Sequence, residues 1–156
     1  MAKEQSVLML SGGIDSVALA HYAKATGVNI GAAIFLDYGQ EAAGRELHCA
    51  RRLSLKLGFA FEPVNISGLK YLFYGMLSDD DYHPLMAECE CNDPYAAHGI
   101  VATYAMLRGA ANVLVGITMD DRKSAPKYPE YLEKFGSSIS DLNGRPFEMR
   151  APFIDM

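Results

Sequence analysis

The chain has 156 residues, half of them hydrophobic and 21% charged, with a formal net charge of −5. That length predicts a single domain over residues 1–156; the acidic balance excludes a surface of clustered Lys and Arg for nucleic acid, and no apolar run approaches the roughly 18 residues that cross a bilayer. Met1-Ala-Lys-Glu-Gln5 has no apolar signal core and the three cysteines are an odd number, so reduced thiols and a cytoplasmic location are expected.

The apolar stretch Val7-Leu-Met-Leu10 reads as a strand, Ser11-Gly-Gly-Ile-Asp-Ser16 as a tight turn, and Val17 onward as a helix. Such an arrangement is suited to phosphate. Adjacent glycines let the backbone turn with positive φ, and the first amides of the helix point outward with the positive end of the dipole behind them. The hydroxyls of Ser11 and Ser16 add donors, and the Asp15 carboxylate implies Mg²⁺ between itself and phosphate. The competing reading is structural: Asp15 or Ser16 caps the helix and the glycines only make its entry turn. On the phosphate reading, valine at Gly12 fills the space the phosphate occupies. There is no Walker-type lysine and no Gly-x-Gly-x-x-Gly fingerprint.

Beyond Gly27, expected at C′ of that helix, residues 28–36 form an apolar run fit for a strand buried on both faces. Residues 41–57 place Leu47, Ala50, Leu53 and Leu57 at helical spacing, and Gly58 closes them. A third strand is predicted over 59–66, with Pro63 requiring an edge or bulge. A second long helix is predicted over 96–108 with the stripe Ile100, Tyr104 and Leu107, then a fourth strand over 112–118. Pro129 opens a helix over 130–139, and 147–151 reads as a fifth strand. Strands alternating with helices predict an α/β, doubly wound, mainly parallel five-stranded sheet with its ligand at the carboxyl ends of the strands.

Ser11 to Ser16 resembles the PP-loop of the ATP pyrophosphatases. Those enzymes cleave ATP between the α and β phosphates and adenylate a carbonyl or carboxyl oxygen, which a nucleophile then displaces. Phe35-Leu-Asp-Tyr-Gly-Gln40 lies on the same rim; alone, Asp37-Tyr-Gly-Gln40 is equally a turn into a helix. Together the two segments resemble the 7-cyano-7-deazaguanine synthase (QueC) family. Val115-Gly-Ile-Thr-Met-Asp-Asp121, Pro129-Glu-Tyr-Leu-Glu-Lys-Phe135 and Ala151-Pro-Phe-Ile-Asp155 resemble later stretches of that family in order and spacing.

The resemblance implies a HUP-like fold, MgATP, and a ligase converting 7-carboxy-7-deazaguanine and ammonia to the nitrile, usually in a homodimer. It also implies adenine against the backbone at Phe35 and Leu36. The chain departs from the pattern in carrying Glu41-Ala42-Ala43 where the family has a basic pair, Asn92-Asp93-Pro94-Tyr95 in place of Pro-x-Arg-Asn, and no four-cysteine zinc segment before Met156.

The expected site comprises Leu10, Ser11, Gly12, Gly13, Ile14, Asp15, Ser16, Val17, Phe35 and Leu36 around ATP. Asp15 and Ser16 take catalytic roles, Asp15 with Mg²⁺. Asp37, Tyr38, Gln40, Asp120 and Asp121 are candidates for the substrate side, the last two with a solvated turn as the alternative. Arg122, Lys123 or Lys127 could neutralise the α-phosphate. Zinc is not expected: Cys89-Glu-Cys91, with His83 and His98 nearby, lacks a second pair, and 78–84 reads as an acidic surface loop. Cys49 is expected as a small buried hydrophobe, and His21 and His48 as solvated helix residues without a role. Two alternatives to the deazapurine ligase stand: a PP-loop sulfur-transfer or amidating enzyme, and an ATP-binding module or half-enzyme completed by a partner chain.

Overall fold

A computed structural model describes residues 4–69 and 95–156. Five strands form one parallel sheet in the order β3-β2-β1-β4-β5: β1 (Ser6–Met9), β2 (Ile30–Asp37), β3 (Phe61–Asn65), β4 (Asn112–Leu114) and β5 (Glu148–Arg150). The chain winds outward from β1 to one edge and then, from β4, to the other. The strand order therefore reverses between β1 and β4, where an open α/β sheet leaves a crevice at its carboxyl edge.

Helices α1 (Ile14–Ala25) and α2 (Ala43–Leu57) cover one face, packing Leu19, Ala20, Ala23, Ala50, Leu53 and Leu57 on Leu8, Leu10, Ala33 and Phe35. Helices α3 (Tyr95–Leu107) and α5 (Tyr128–Asn143) cover the other, with Val101, Ala105 and Leu132 against Val7, Ile34, Leu36 and Val113. Alternate residues of β1 and β2 thus enter different cores, as the two-residue period of a strand requires. The helices stop where the glycines predicted: Gly27 and Gly58 are left-handed, at φ 69° and 77°, just past α1 and α2. Pro129 sits in the first turn of α5, which begins at Tyr128 and runs four residues beyond the predicted end to a left-handed Gly144. Pro63 lies on β3, an edge strand, where its missing N–H costs no ladder bond.

Three expectations are corrected. The buried face of α3 is Ala97, His98, Val101, Ala102 and Ala105; Leu107 is 83% exposed, and Ile100 and Tyr104 only border the core. The small residues win because they let the helix approach the sheet closely. Cys49 is exposed, one position off the stripe that buries Ala50, Leu53 and Leu57. The fourth strand ends at Leu114, and Asp120 and Asp121 belong to the first turn of a short helix α4 (Met119–Ser124). His21 and His48 are exposed, as expected. The loop 78–84, Cys89, Cys91, His83 and Asn92-Asp93-Pro94 lie outside the described residues.

Candidate active site

The turn between β1 and α1 is held by its own serines. Ser16 Oγ accepts hydrogen bonds from the Gly12 amide at 3.1 Å and the Ser11 hydroxyl at 3.0 Å, and donates to the Gly13 carbonyl at 2.9 Å. Ser16 is buried, so its hydroxyl braces the turn from within, while Ser11 and Asp15 are exposed. Gly13 is the N-cap residue, and no side chain caps α1. The amides of Ile14, Asp15 and Ser16 thus precede the first intrahelical bond, which Val17 makes to Gly13. The capping alternative for Asp15 and Ser16 is not what the structure adopts: no side chain takes the first amides of the helix, and Ile14, Asp15 and Ser16 line an open cleft with the helix dipole behind them.

The glycines serve close approach in different directions. Gly12 has φ 82°, and a Cβ there would stand 2.4 Å from the Glu46 carbonyl oxygen of α2. Valine at 12 would therefore collide with α2, which corrects the expectation that it fills the phosphate space. At Gly13 a Cβ meets only Ser11 Oγ, at 3.4 Å. Gly116, just past β4, lies so near the first turn of α1 that a Cβ would be 3.0 Å from the Ser16 amide nitrogen. Sequence reasoning gave Gly116 no part in the site, although it lies within the quoted stretch Val115-Gly-Ile-Thr.

The resulting cleft, about 220 Å³, lies over the β1 and β4 ends and is lined by Ser11, Gly13, Ile14, Asp15, Ser16, His98, Gly116, Ile117 and Tyr128, with Met9 and Val115 beneath. Ile14 is 83% exposed at its rim. Asp15 is the one acidic group among these lining residues and no Lys or Arg joins it, so the positive potential available there is that of the first amides and the dipole of α1.

His98 is the residue that sequence reasoning weighed only as a metal ligand. It is 2% exposed, its Nδ1 lies 3.1 Å from Tyr131 Oη, and its ring stacks on Tyr131 and meets Tyr128 edge-on. Burial pushes its pKa down to about 4, so the imidazole is neutral at pH 7. Its signal in the sequence, a single His on an apolar helix, does not separate a cleft residue from a core one.

The second segment is a self-locked turn at the end of β2. Asp37 accepts from the Gly39 amide at 3.0 Å and from Asn65 Nδ2 at 3.3 Å. Gln40 is buried; its carbonyl oxygen accepts from the Tyr38 amide, and its nitrogen donates to the Leu36 carbonyl and, at 3.0 Å, to Glu46. Glu46 thereby touches both segments, through its backbone at Gly12 and its carboxylate at Gln40. Burial, and secondarily the Glu46 charge, raises the Tyr38 phenol above its ordinary pKa.

The structure gathers Ser11, Gly13, Ile14, Asp15 and Ser16 at the cleft. Leu10, Gly12, Val17, Phe35, Leu36, Asp37, Tyr38 and Gln40 are not among its described lining residues. Leu10, Phe35 and Leu36 put their side chains into the core, leaving only backbone to a ligand. Asp121 closes a capping box with Thr118, and Asp120 pairs with Lys123 at 2.7 Å. Arg122 pairs with Asp155. Lys127 borders a neighbouring groove with Lys134. Among the described residues no group of three or more His, Cys, Asp and Glu is placed to hold a metal, and no helix is long and apolar enough to cross a membrane.

The fold is shared with a U34-tRNA thiolase, NcsA, from Methanococcus maripaludis, solved with a [4Fe-4S] cluster. The TM-score is 0.63 at 16% identity over 99% of this chain, which spans 53% of that structure. In sequence, a protein of Methanoculleus marisnigri named 7-cyano-7-deazaguanine synthase is 30% identical over 98% of this chain and 74% of its own length. One of the same name from Methanospirillum hungatei JF-1 is 29% identical over 97% and 74%. Relatives that are synthases make the chain an enzyme, of ligase type. The family model described as queuosine biosynthesis protein QueC matches residues 5–156, and the chain belongs to that family.

Proposed function

We propose that the chain is an ATP-dependent carbon–nitrogen ligase that converts 7-carboxy-7-deazaguanine and ammonia to 7-cyano-7-deazaguanine, with each ATP cleaved to AMP and pyrophosphate. The observation that carries this reading is the uncapped first turn of α1, whose residues 14–16 line the crevice between β1 and β4, in a chain whose relatives bear the synthase name.

The nitrile has lost both oxygens of the carboxylate, so each must be made a leaving group. Adenylation of the first lets ammonia displace AMP and form the amide; adenylation of the amide oxygen lets the nitrogen's lone pair expel a second AMP as the nitrile forms. Both activations release pyrophosphate, whose charge the amides of residues 14–16 stabilise from a fixed geometry. Ser11 is the exposed hydroxyl able to donate to it, and Ser16 keeps the turn in shape. The donor set fits Mg²⁺: a lone exposed carboxylate, Asp15, is what an ion that keeps its waters and the nucleotide's phosphate oxygens requires. When bound, that ion neutralises the charge between Asp15 and the phosphates. Adenine against the backbone at Phe35 and Leu36, and the deazapurine acid near Asp37, Tyr38 and Gln40, complete the reading. It places the whole chain in one nucleotide-binding unit, at work in the cytoplasm, as a homodimer or with a partner chain.

The test is nucleotide analysis of MgATP incubated with the chain, with and without 7-carboxy-7-deazaguanine and ammonium. AMP and pyrophosphate appearing only with the acid are expected. ATP that binds and stays intact with every acid supplied would sink the reading.

A further inference from the structure

The cleft has two walls of different chemistry. One is the turn and first helical turn of α1, with backbone amides. The other is His98 on α3 with Tyr128 on α5, and nothing in the phosphate-loop reading gives it a task. His98 is not placed there as an idle core residue: a ring 2% exposed and wrapped by Tyr128, Tyr131 and Phe135 still contributes to the lining of a cleft that holds Ser11, Asp15 and Ser16. Burying an imidazole among aromatic rings costs free energy unless its nitrogens are hydrogen-bonded. Only one is so engaged among the described residues, Nδ1 with Tyr131 Oη at 3.1 Å. Nε2 is the nitrogen left for the cleft.

We propose that His98 is a nucleotide-positioning residue: Tyr131 donates its hydroxyl proton to Nδ1, which holds the ring's own proton on Nε2, and that N–H reaches a phosphate oxygen of ATP opposite the α1 amides. The inference rests on the phosphate site proposed above and adds to it a side-chain donor from a different helix. A neutral donor suits a group that must leave: the ring stays uncharged at pH 7 in the free protein, so it orients pyrophosphate without a fixed positive charge that would retain it. The Tyr131 hydroxyl acts through the ring, since a neutral imidazole with an accepting Nδ1 must carry its proton on Nε2.

Two measurements test this. The ¹⁵N shifts of His98 at pH 7 are expected to show a neutral Nε2–H tautomer, and Tyr131→Phe is expected to shift the ring toward the other. Calorimetric titration with MgATP, magnesium pyrophosphate and AMP is expected to show His98→Leu weakening the first two by about tenfold and leaving AMP unchanged. His98→Gln, whose amide can donate from a similar position, is expected to recover part of the loss. Unchanged pyrophosphate affinity in His98→Leu, an Nδ1–H tautomer, or a loss confined to AMP would each overturn the assignment. Failure of the wild-type chain to bind ATP and pyrophosphate would overturn the phosphate site and this inference with it, whereas wild-type binding with an indifferent Leu variant overturns this inference alone.

Discussion

Gly12 and Gly13 are adjacent, yet they fail differently when given a side chain. Gly12 combines φ 82° with a would-be Cβ 2.4 Å from the Glu46 carbonyl. Alanine there pays the left-handed penalty and must also push α2 away, so Gly12→Ala is expected to lose about 2 to 3 kcal/mol of stability. Gly13 has extended backbone at φ −74° and ψ 165°, and its Cβ would meet nothing but Ser11 Oγ. Gly13→Ala is expected to keep its urea midpoint and lose nucleotide affinity; a large midpoint shift would place its methyl against the fold instead. His98 gives a second residue-scale test. Its pKa falls to about 4 in the folded chain, from about 6.5 unfolded. Between those values the unfolded chain binds a proton that the folded one refuses, so stability falls as pH drops through 6.5 and levels off below 4. The loss amounts to about 3 kcal/mol. His98→Leu removes this group from the titration, and urea unfolding at pH 7 and pH 4 should show a smaller difference in the variant than in the wild type.

At the scale of elements, the edge of the sheet depends on one hydroxyl. Ser140 Oγ, on α5, accepts from the Phe147 amide at 2.9 Å and shares its single proton between the carbonyls of Gly136 and Phe147, each 3.0 Å away, pinning the residue that leads into β5. Gly136, one turn earlier, lets α5 approach so closely that a Cβ would stand 3.1 Å from the Phe147 carbonyl oxygen. Ser140→Ala should therefore cost about 1 to 2 kcal/mol, since it strands a buried amide, and hydrogen exchange at Phe147 should accelerate ahead of β1. The elements themselves were legible because the pattern of each is local: apolar runs between Gly27, Gly58 and Pro129, and a Pro63 that required an edge or a bulge. Which face each helix buries was legible only where one side is polar. The α2 stripe Ala50, Leu53 and Leu57 stands out against Arg45, Arg52 and Lys56, while α3 is apolar all round, and there Ala97, Val101 and Ala105 displaced the bulkier Ile100 and Leu107. The site followed the same rule. The loop was readable as one contiguous segment, but the opposite wall was not, because His98, Gly116 and Tyr128 come from separate elements and meet only through the winding of the sheet. The Thr118-to-Asp121 capping box has its own sequence signature, Thr-x-x-Asp, which competes with the apolar run that extends the strand pattern to Thr118.

For the whole molecule, the crevice at the strand-order reversal couples folding to binding. Its walls come from β1, α1, the segment just past β4, α3 and α5, so the cleft forms only when both halves of the sheet are assembled, and a ligand there would stabilise the assembly rather than one loop. Under the proposed function, MgATP at 100 times its dissociation constant adds about 2.7 kcal/mol to the folded state. For a chain of this size, that raises the thermal midpoint by about 5 to 10 °C. Asp15→Asn keeps the fold, since Asp15 is exposed and α1 has no side-chain cap to lose, and costs it only the charge–dipole attraction of the first turn, about 0.5 kcal/mol, but it removes the carboxylate assigned to Mg²⁺. Its midpoint without ligand should lie within about 2 °C of the wild type, and its gain with MgATP should shrink while the response to ATP in excess chelator stays the same. Equal gains with MgATP in both proteins would take Asp15 out of the metal site; an unliganded midpoint several degrees lower would make it a structural residue of the turn.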